Sequence, residues 1–107
     1  MASRLNLHNE FISILGSGAE TDKRVYFQPP ESHKMRYPCI RYSLDNIDTR
    51  YANDKPYKNI NRYQVTVIDL NPDSVIPYEI LSHFPMCSFD RSYTSNNLNH
   101  FVLTLYY

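Results

Sequence analysis

The stretch PCIRYSLDNIDTRYANDKPYKNINRYQVTVID, from Pro38 to Asp69, decides the fold. Both of its ends alternate apolar and polar residues with a period of two. Ile40, Tyr42 and Leu44 fall on one face of a first strand, and Tyr63, Val65 and Val67 on one face of a second. Each strand therefore has a side to bury. The residues between them, Asp45 to Lys58, mix charges of both signs with amides and are too many for a tight hairpin turn. This segment reads as a projecting arm that carries three apolar or aromatic anchors, Ile47, Tyr51 and Tyr57, among Asp48, Arg50, Asn53, Asp54 and Lys55. Charged loops are commonly only solvated. These anchors, however, spend apolar surface where little core is in reach, which suits contact with another protein better than chemistry on a small molecule.

On the N-terminal side, Ser3 is an N-cap, and Leu5, His8, Phe11, Ile12 and Leu15 recur at helical spacing until Gly16 to Gly18 ends the pattern. Val25 to Phe27 is a short strand stopped by Pro29 and Pro30, and Glu31 to Tyr37 reads as an extended loop. On the C-terminal side, Asp69 to Asp73 is turn chemistry, and Ser74 caps a second helix over Val75 to His83 with Ile76, Ile80 and Phe84 inward. Pro77 falls in that helix's first turn, where a missing N–H costs no hydrogen bond, and Pro85 closes the helix. Cys87 to Thr94 reads as a half-buried strand whose apolar side Arg91 interrupts. Ser95 to Asn97 turns, and Asn99 to Tyr107 is a last strand with Phe101, Leu103, Leu105 and Tyr107 on one face.

The expectation is a single α+β domain over residues 1–107. Its core is a mainly antiparallel sheet of four to five strands, with two helices on one face and a long projecting hairpin arm. Arg41, Ser43, Gln64, Thr66, Val102 and Thr104 then line the opposite face, polar enough for water and flat enough to dock on a neighbour.

Composition narrows the function. With 107 residues the chain buries roughly two thirds of its unfolded surface as one domain. Its 11 basic and 11 acidic residues balance, and each half is nearly neutral, so no basic field draws in nucleic acid. Tyrosine supplies 10 residues against 5 Phe and no Trp, which fits a sheet whose second face meets a partner as well as simple strand propensity. Cys39 and Cys87 lack C-x-x-C spacing and read as reduced, buried thiols. His8, His33, His83 and His100 occur singly, without ligand spacing for a metal, and Gly16 and Gly18 end a helix where a phosphate loop would begin one. No cofactor is expected. An apolar run of signal-peptide or membrane-spanning length is also missing, which points to a soluble protein that stays in the cytoplasm where it is made, without a membrane partner.

One polar cluster could carry chemistry. In Asp90 to His100, a hydrolase reading makes His100 a general base oriented by Asp90, with Arg91 holding an anion. The simpler reading assigns Asn96, Asn97 and Asn99 to turn geometry and Asp90 and Arg91 to cross-strand or intersubunit hydrogen bonds. Catalysis needs a pocket, and nothing else in the sequence supplies one. The interface candidates are therefore Ile47, Asp48, Arg50, Tyr51, Asn53, Asp54, Lys55, Tyr57, Asp90, Arg91, Asn97 and Asn99.

Several stretches carry a resemblance: V-Y-F-Q-P-P at Val25 to Pro30, Y-P-C-I-R-Y-S-L-D-N-I-D at Tyr37 to Asp48, Y-A-N-D-K-P-Y at Tyr51 to Tyr57, R-Y-Q-V-T-V-I-D at Arg62 to Asp69, N-P-D-S at Asn71 to Ser74, and the run from Ser88 to Tyr107. Together they cover about three quarters of the chain and leave the first helix outside. The chain resembles small structural proteins of tailed bacteriophages, most of all the tail terminator, or tail-completion, family. Neck proteins of similar size, the head–tail connectors and stoppers, are the alternative. The resemblance implies a non-enzymatic virion protein made in the host cytoplasm. Such a protein forms a ring, hexameric in the family, that caps the tail tube protein and offers a joining surface to a neck or head-completion protein. Phage DNA passes through such a ring without tight binding, which a chain of no net charge permits.

Overall fold

The structure is a computed structural model. It describes residues 4–15, 24–29, 37–52 and 55–107, and for 50–52 and 55–58 it describes the backbone. Among these residues the fold is α+β: two helices, α1 (Arg4–Leu15) and α2 (Ile76–His83), and five strands in one sheet. The strands are β1 (Val25–Phe27), β2 (Cys39–Ala52), β3 (Lys55–Asp69), β4 (Cys87–Ser95) and β5 (Leu98–Tyr106), in the order β1-β2-β3-β5-β4. All pairings are antiparallel except β1 with β2, which is parallel, so the chain between those two strands is a crossover.

The alternation in β2, β3 and β5 places one face of the sheet against both helices. Ile40, Tyr42, Tyr63, Val65, Val67, Leu103 and Leu105 are buried there with Leu7 and Phe11 of α1, and with Ile80 of α2 and Phe84 just beyond it. Phe11 meets Tyr42 and Phe84 with ring centroids 5.1 and 5.6 Å apart, so one aromatic ring ties both helices to the sheet.

The phase of α1 differs from the expectation. Leu7 is fully buried, whereas Leu5 is 64% exposed, because the inward stripe runs through Leu7 and Phe11 at a spacing of four. Ser3 and Gly16 to Gly18, the expected ends of this helix, lie outside the described residues, as does Glu31 to Arg36. Helix α2 begins at Ile76, with Val75 as its N-cap; the buried Ser74 hydroxyl still accepts the Ile76 N–H at 3.3 Å. The turn ahead of it is built from side chains. Asp69 Oδ1 accepts the Asn71 N–H, and Asn71 Oδ1 accepts the Asp73 N–H, each at 3.0 Å.

Four further expectations need correction. The segment Asp45 to Lys58 is not a polar connection between shorter strands, because β2 and β3 continue through it and pair as far as Ala52 with Lys55. Bulges at Asp45 and Tyr57 absorb the register, and strand pairing satisfies backbone groups that a loop would leave to water. Leu44 points to the helix side but is 41% exposed, because among the described residues no helix reaches its row. Strand β4 is exposed from Ser88 to Ser95 and not half-buried, since it is the sheet's outer edge with one neighbour. The Arg91 interruption is a bulge there, with Asp90 as the extra residue between the Phe89–Leu103 and Arg91–Val102 pairs. On the face away from the helices, Thr66 and Val102 are buried, as are Cys39 and Ile68, while Gln64 remains exposed. In register, Val102 lies between Arg91 and Thr66, and Ile68 between His100 and Cys39, so each has neighbours on both flanks.

Leu7→Ala should lower stability by about 3 kcal/mol, as a cavity in a closed core does, and Leu5→Ala by less than about 0.5 kcal/mol. Equilibrium urea unfolding of the two variants checks the helix phase; equal losses would contradict it.

Candidate functional site

The β2–β3 ladder outruns the rest of the sheet. The register of β3 with β5 ends at Arg62–Tyr106, followed by one bond from Tyr107 N to Asn61 O at 3.0 Å, whereas pairing with β2 continues to Lys55. From Ile60 to Lys55, β3 therefore has β2 as its sole partner among the described residues, giving a two-stranded ribbon about 20 Å long at ordinary strand rise. Its root is held by Arg62 Nε, which donates to Asp45 Oδ2 at 2.9 Å across the bulge. At the root, Ile47 is 50% exposed and lies on the same side as Leu44. Asp48 is half-buried. Arg50, Tyr51, Lys55 and Tyr57 lie on the ribbon's backbone, their side chains outside the described residues; Asn53 and Asp54 lie wholly outside.

The remaining candidates fall elsewhere. Asp90 and Arg91 sit midway along the outer edge and bond each other at 3.1 Å. Asn97 is at the β4–β5 turn, where Asn96 and Asn97 have φ of 53° and 64°, a left-handed pair that Asn tolerates and that suits a two-residue hairpin. Asn99 is spent inside the molecule, its amide donating to the carbonyls of Asp69 and Leu70. The ribbon and the Asn97 turn mark opposite ends of the sheet, so the twelve candidates do not form one patch.

The hydrolase geometry is not assembled. His100 pairs in register with Tyr93, stacking on it at 4.6 Å and 9°, and its Nδ1 donates to the Leu98 carbonyl at 3.1 Å. The Asp90 carboxylate turns to Arg91. Among the described residues, no three His, Cys, Asp or Glu side chains come together as metal ligands. Cys39 and Cys87 are free, on opposite faces of the sheet, and burial pushes their thiols up to about 12 and about 11, so neither is a thiolate at neutral pH. No helix among the described residues is long and apolar enough to cross a membrane.

A polar cluster that the sequence reading missed lies beneath α1. Tyr42, almost wholly buried, accepts a hydrogen bond from Arg4 Nη1 at 3.3 Å, which leaves its own proton for His8 Nδ1 at 2.8 Å. The Arg4 guanidinium also lies 4.4 Å from the Phe27 ring centroid. Burial, and then the Arg4 charge, lower the His8 pKa below its ordinary 6.5, keeping the imidazole neutral and able to accept. The i, i+4 spacing of Arg4 and His8 was the available signal. On the opposite sheet face, Gln28, Pro29, Arg41, Ser43, Gln64 and Thr66 border a half-open cleft of about 240 Å³.

The chain matches no family model and no curated protein.

Because the folded His8 pKa lies below the unfolded one, its contribution to stability is present above pH 6.5, and it is lost as the pH falls through the folded value. Urea midpoints followed from pH 7.5 downward should fall in that window, and His8→Gln, which keeps an acceptor, should flatten the fall. An unchanged pH profile in that variant would remove His8 as the cause.

Proposed function

We propose that this chain is a non-enzymatic structural protein of a phage virion, a tail terminator that assembles as a ring, caps the tail tube and presents a joining surface to the head. The observation that carries the reading is the β2–β3 ribbon, which among the described residues has no third strand and exposes Ile47 at its root. A ribbon spends chain length and strand pairing without enlarging the core, and an exposed apolar residue on it gains most by burial against another molecule. Ribbon and turn stand at opposite ends of an elongated body of 50 × 29 × 28 Å, which favours a head-to-tail, heterologous contact that closes into a ring. The motif resemblance supplies the phage setting, and the neutral charge balance suits a lumen through which DNA slides.

The ring, its hexameric count, the tail tube and neck partners and the place in the virion all belong to this proposal. Cryo-electron microscopy of particles from the phage or prophage that encodes the chain tests it. A ring of this protein on the last tail-tube layer is the expected result. A ring against the portal would replace the terminator with a connector or stopper, and absence from the particle would overturn the structural reading. Replacing Ile47 and Tyr57 together by Asp should abolish the ring while the circular dichroism spectrum stays native; unimpaired assembly would remove the ribbon from the interface.

A further inference from the structure

We propose that the cleft on the sheet face away from the helices is a binding site for a carboxylate. Its floor is formed by adjacent rows of the β2–β3 ladder, the Arg41–Thr66 pair and the Ser43–Gln64 pair, whose side chains share that face. One wall is Gln28 and Pro29, where the chain leaves β1. That wall is fixed in place. At φ 46°, Gln28 gives its N–H to the Tyr42 carbonyl at 2.9 Å, and its Oε1 accepts the Leu44 N–H at 3.2 Å. With the oxygen so engaged, the part of the Gln28 side chain left for a ligand is its donor, the amide N–H group. The Arg41 guanidinium adds a fork of N–H donors matched to both oxygens of a carboxylate, and the Ser43 and Thr66 hydroxyls are further donors. Among the described residues, no acidic side chain lines the cleft.

Charge decides the class of ligand. Arg62 and Arg91 stand on the same face, and each is bonded to a carboxylate, that of Asp45 at 2.9 Å and that of Asp90 at 3.1 Å. Asp69, the acidic residue of β3, is engaged by the Asn71 N–H. Among the described residues the Arg41 guanidinium has no carboxylate partner, so the cleft keeps its positive charge beside a set of neutral donors. A monoanion balances that charge, whereas a dianion such as hydrogen phosphate would leave a negative charge against the sheet. A polyanion such as DNA needs a track of cations, and the cleft has a single one. Its volume of about 240 Å³ is below the roughly 300–1,000 Å³ of pockets for larger ligands, so it takes the carboxylate and a short chain behind it. An Asp or Glu side chain of a second copy and a small free acid share that chemistry. The cleft uses no ribbon residue, so the virion reading can fail while the site stands.

The test follows the Arg41 Nε–H and the backbone amides of the isotopically labelled full-length chain by NMR while sodium acetate is added at constant ionic strength. Saturable shifts of the Arg41 Nε–H and of the amides at 28, 41–43 and 64–66 are expected, with half-saturation in the millimolar range. Arg41→Gln should weaken binding at least about tenfold, and Arg41→Lys, which keeps the charge without the fork, by about threefold. Arg91→Gln should leave it unchanged. The amide spectrum of each variant reports its fold, and the Arg41 Nε–H of the unaltered chain reads the contact even where a variant does not fold. Inorganic phosphate, added in the same way, should bind at least about tenfold more weakly than acetate. Concentrating the protein without added acid separates the two sources. An Arg41 shift that appears on concentration and is reversed by acetate assigns the carboxylate to a second copy; a spectrum independent of concentration, with acetate still saturating, assigns it to a free acid. No saturable change, changes only away from the cleft, equal affinity in a folded Arg41→Gln variant, or phosphate binding as tight as acetate would overturn the site.

Discussion

Tyr42 must be buried by something that also satisfies its hydroxyl, and that requirement organises the fold. Its ring lies 5.1 Å from Phe11, 5.0 Å from Phe27 and 5.9 Å from Tyr63, at the meeting point of α1, β1 and β3. The hydroxyl is a polar group in an otherwise largely apolar core, and leaving it unpaired would cost about 1–3 kcal/mol. Arg4 and His8 serve it from a single face of α1. That contact sets the axial position of α1 on the sheet, and Phe11, one turn beyond His8, then reaches Phe84 and brings the end of α2 to the same core. The strand before Tyr42 obeys the same constraint. β1 pairs with residues 40–42 alone, and Gln28, at φ 46°, turns the chain so that its N–H bonds the Tyr42 carbonyl at 2.9 Å.

Packing on one side leaves the molecule asymmetric. Among the described residues, helices cover the sheet where β2, β3 and β5 run together, and β2 and β3 keep pairing after that cover ends. Backbone hydrogen bonds can extend a ladder without a core, since the two strands satisfy one another, whereas side chains along the extension must face water or a partner. The Asp45 bulge and the Arg62 bridge lie at the point where one regime gives way to the other.

The alternation in β2, β3 and β5 named the residues buried on the helix face, Leu44 apart, because period two is a property of the extended backbone itself, but it did not find the buried Cys39, Thr66, Ile68 and Val102 on the other face. The proline arithmetic at Pro77 placed α2 to within one residue, since a missing N–H is tolerated only in a first turn. Local periodicity could not say where cover ends. Leu44 belongs to the same alternating face as Tyr42 and stays exposed, because its burial depends on how far a helix from elsewhere in the chain extends. The same limit explains Leu5 and Leu7: both fit an amphipathic pattern, and only the docked helix chose between them. For the candidate surfaces, the sequence named residues without their grouping. Asp90 and His100 are close in a hairpin, yet strand register sets His100 against Tyr93 and turns Asp90 to Arg91.

By itself, then, the sequence determined the α+β class, the two helices, the inward faces of the long strands and the absence of net charge, all of which follow from residue type and local spacing. Tertiary structure decided that β2 runs on through Asp45 to Ala52 and β3 begins at Lys55, that β1 lies parallel to β2, that β4 is an outer edge and that Arg4 and His8 meet Tyr42. Each of these joins residues distant in the chain or depends on what a neighbouring element covers, and such contacts have no period to read.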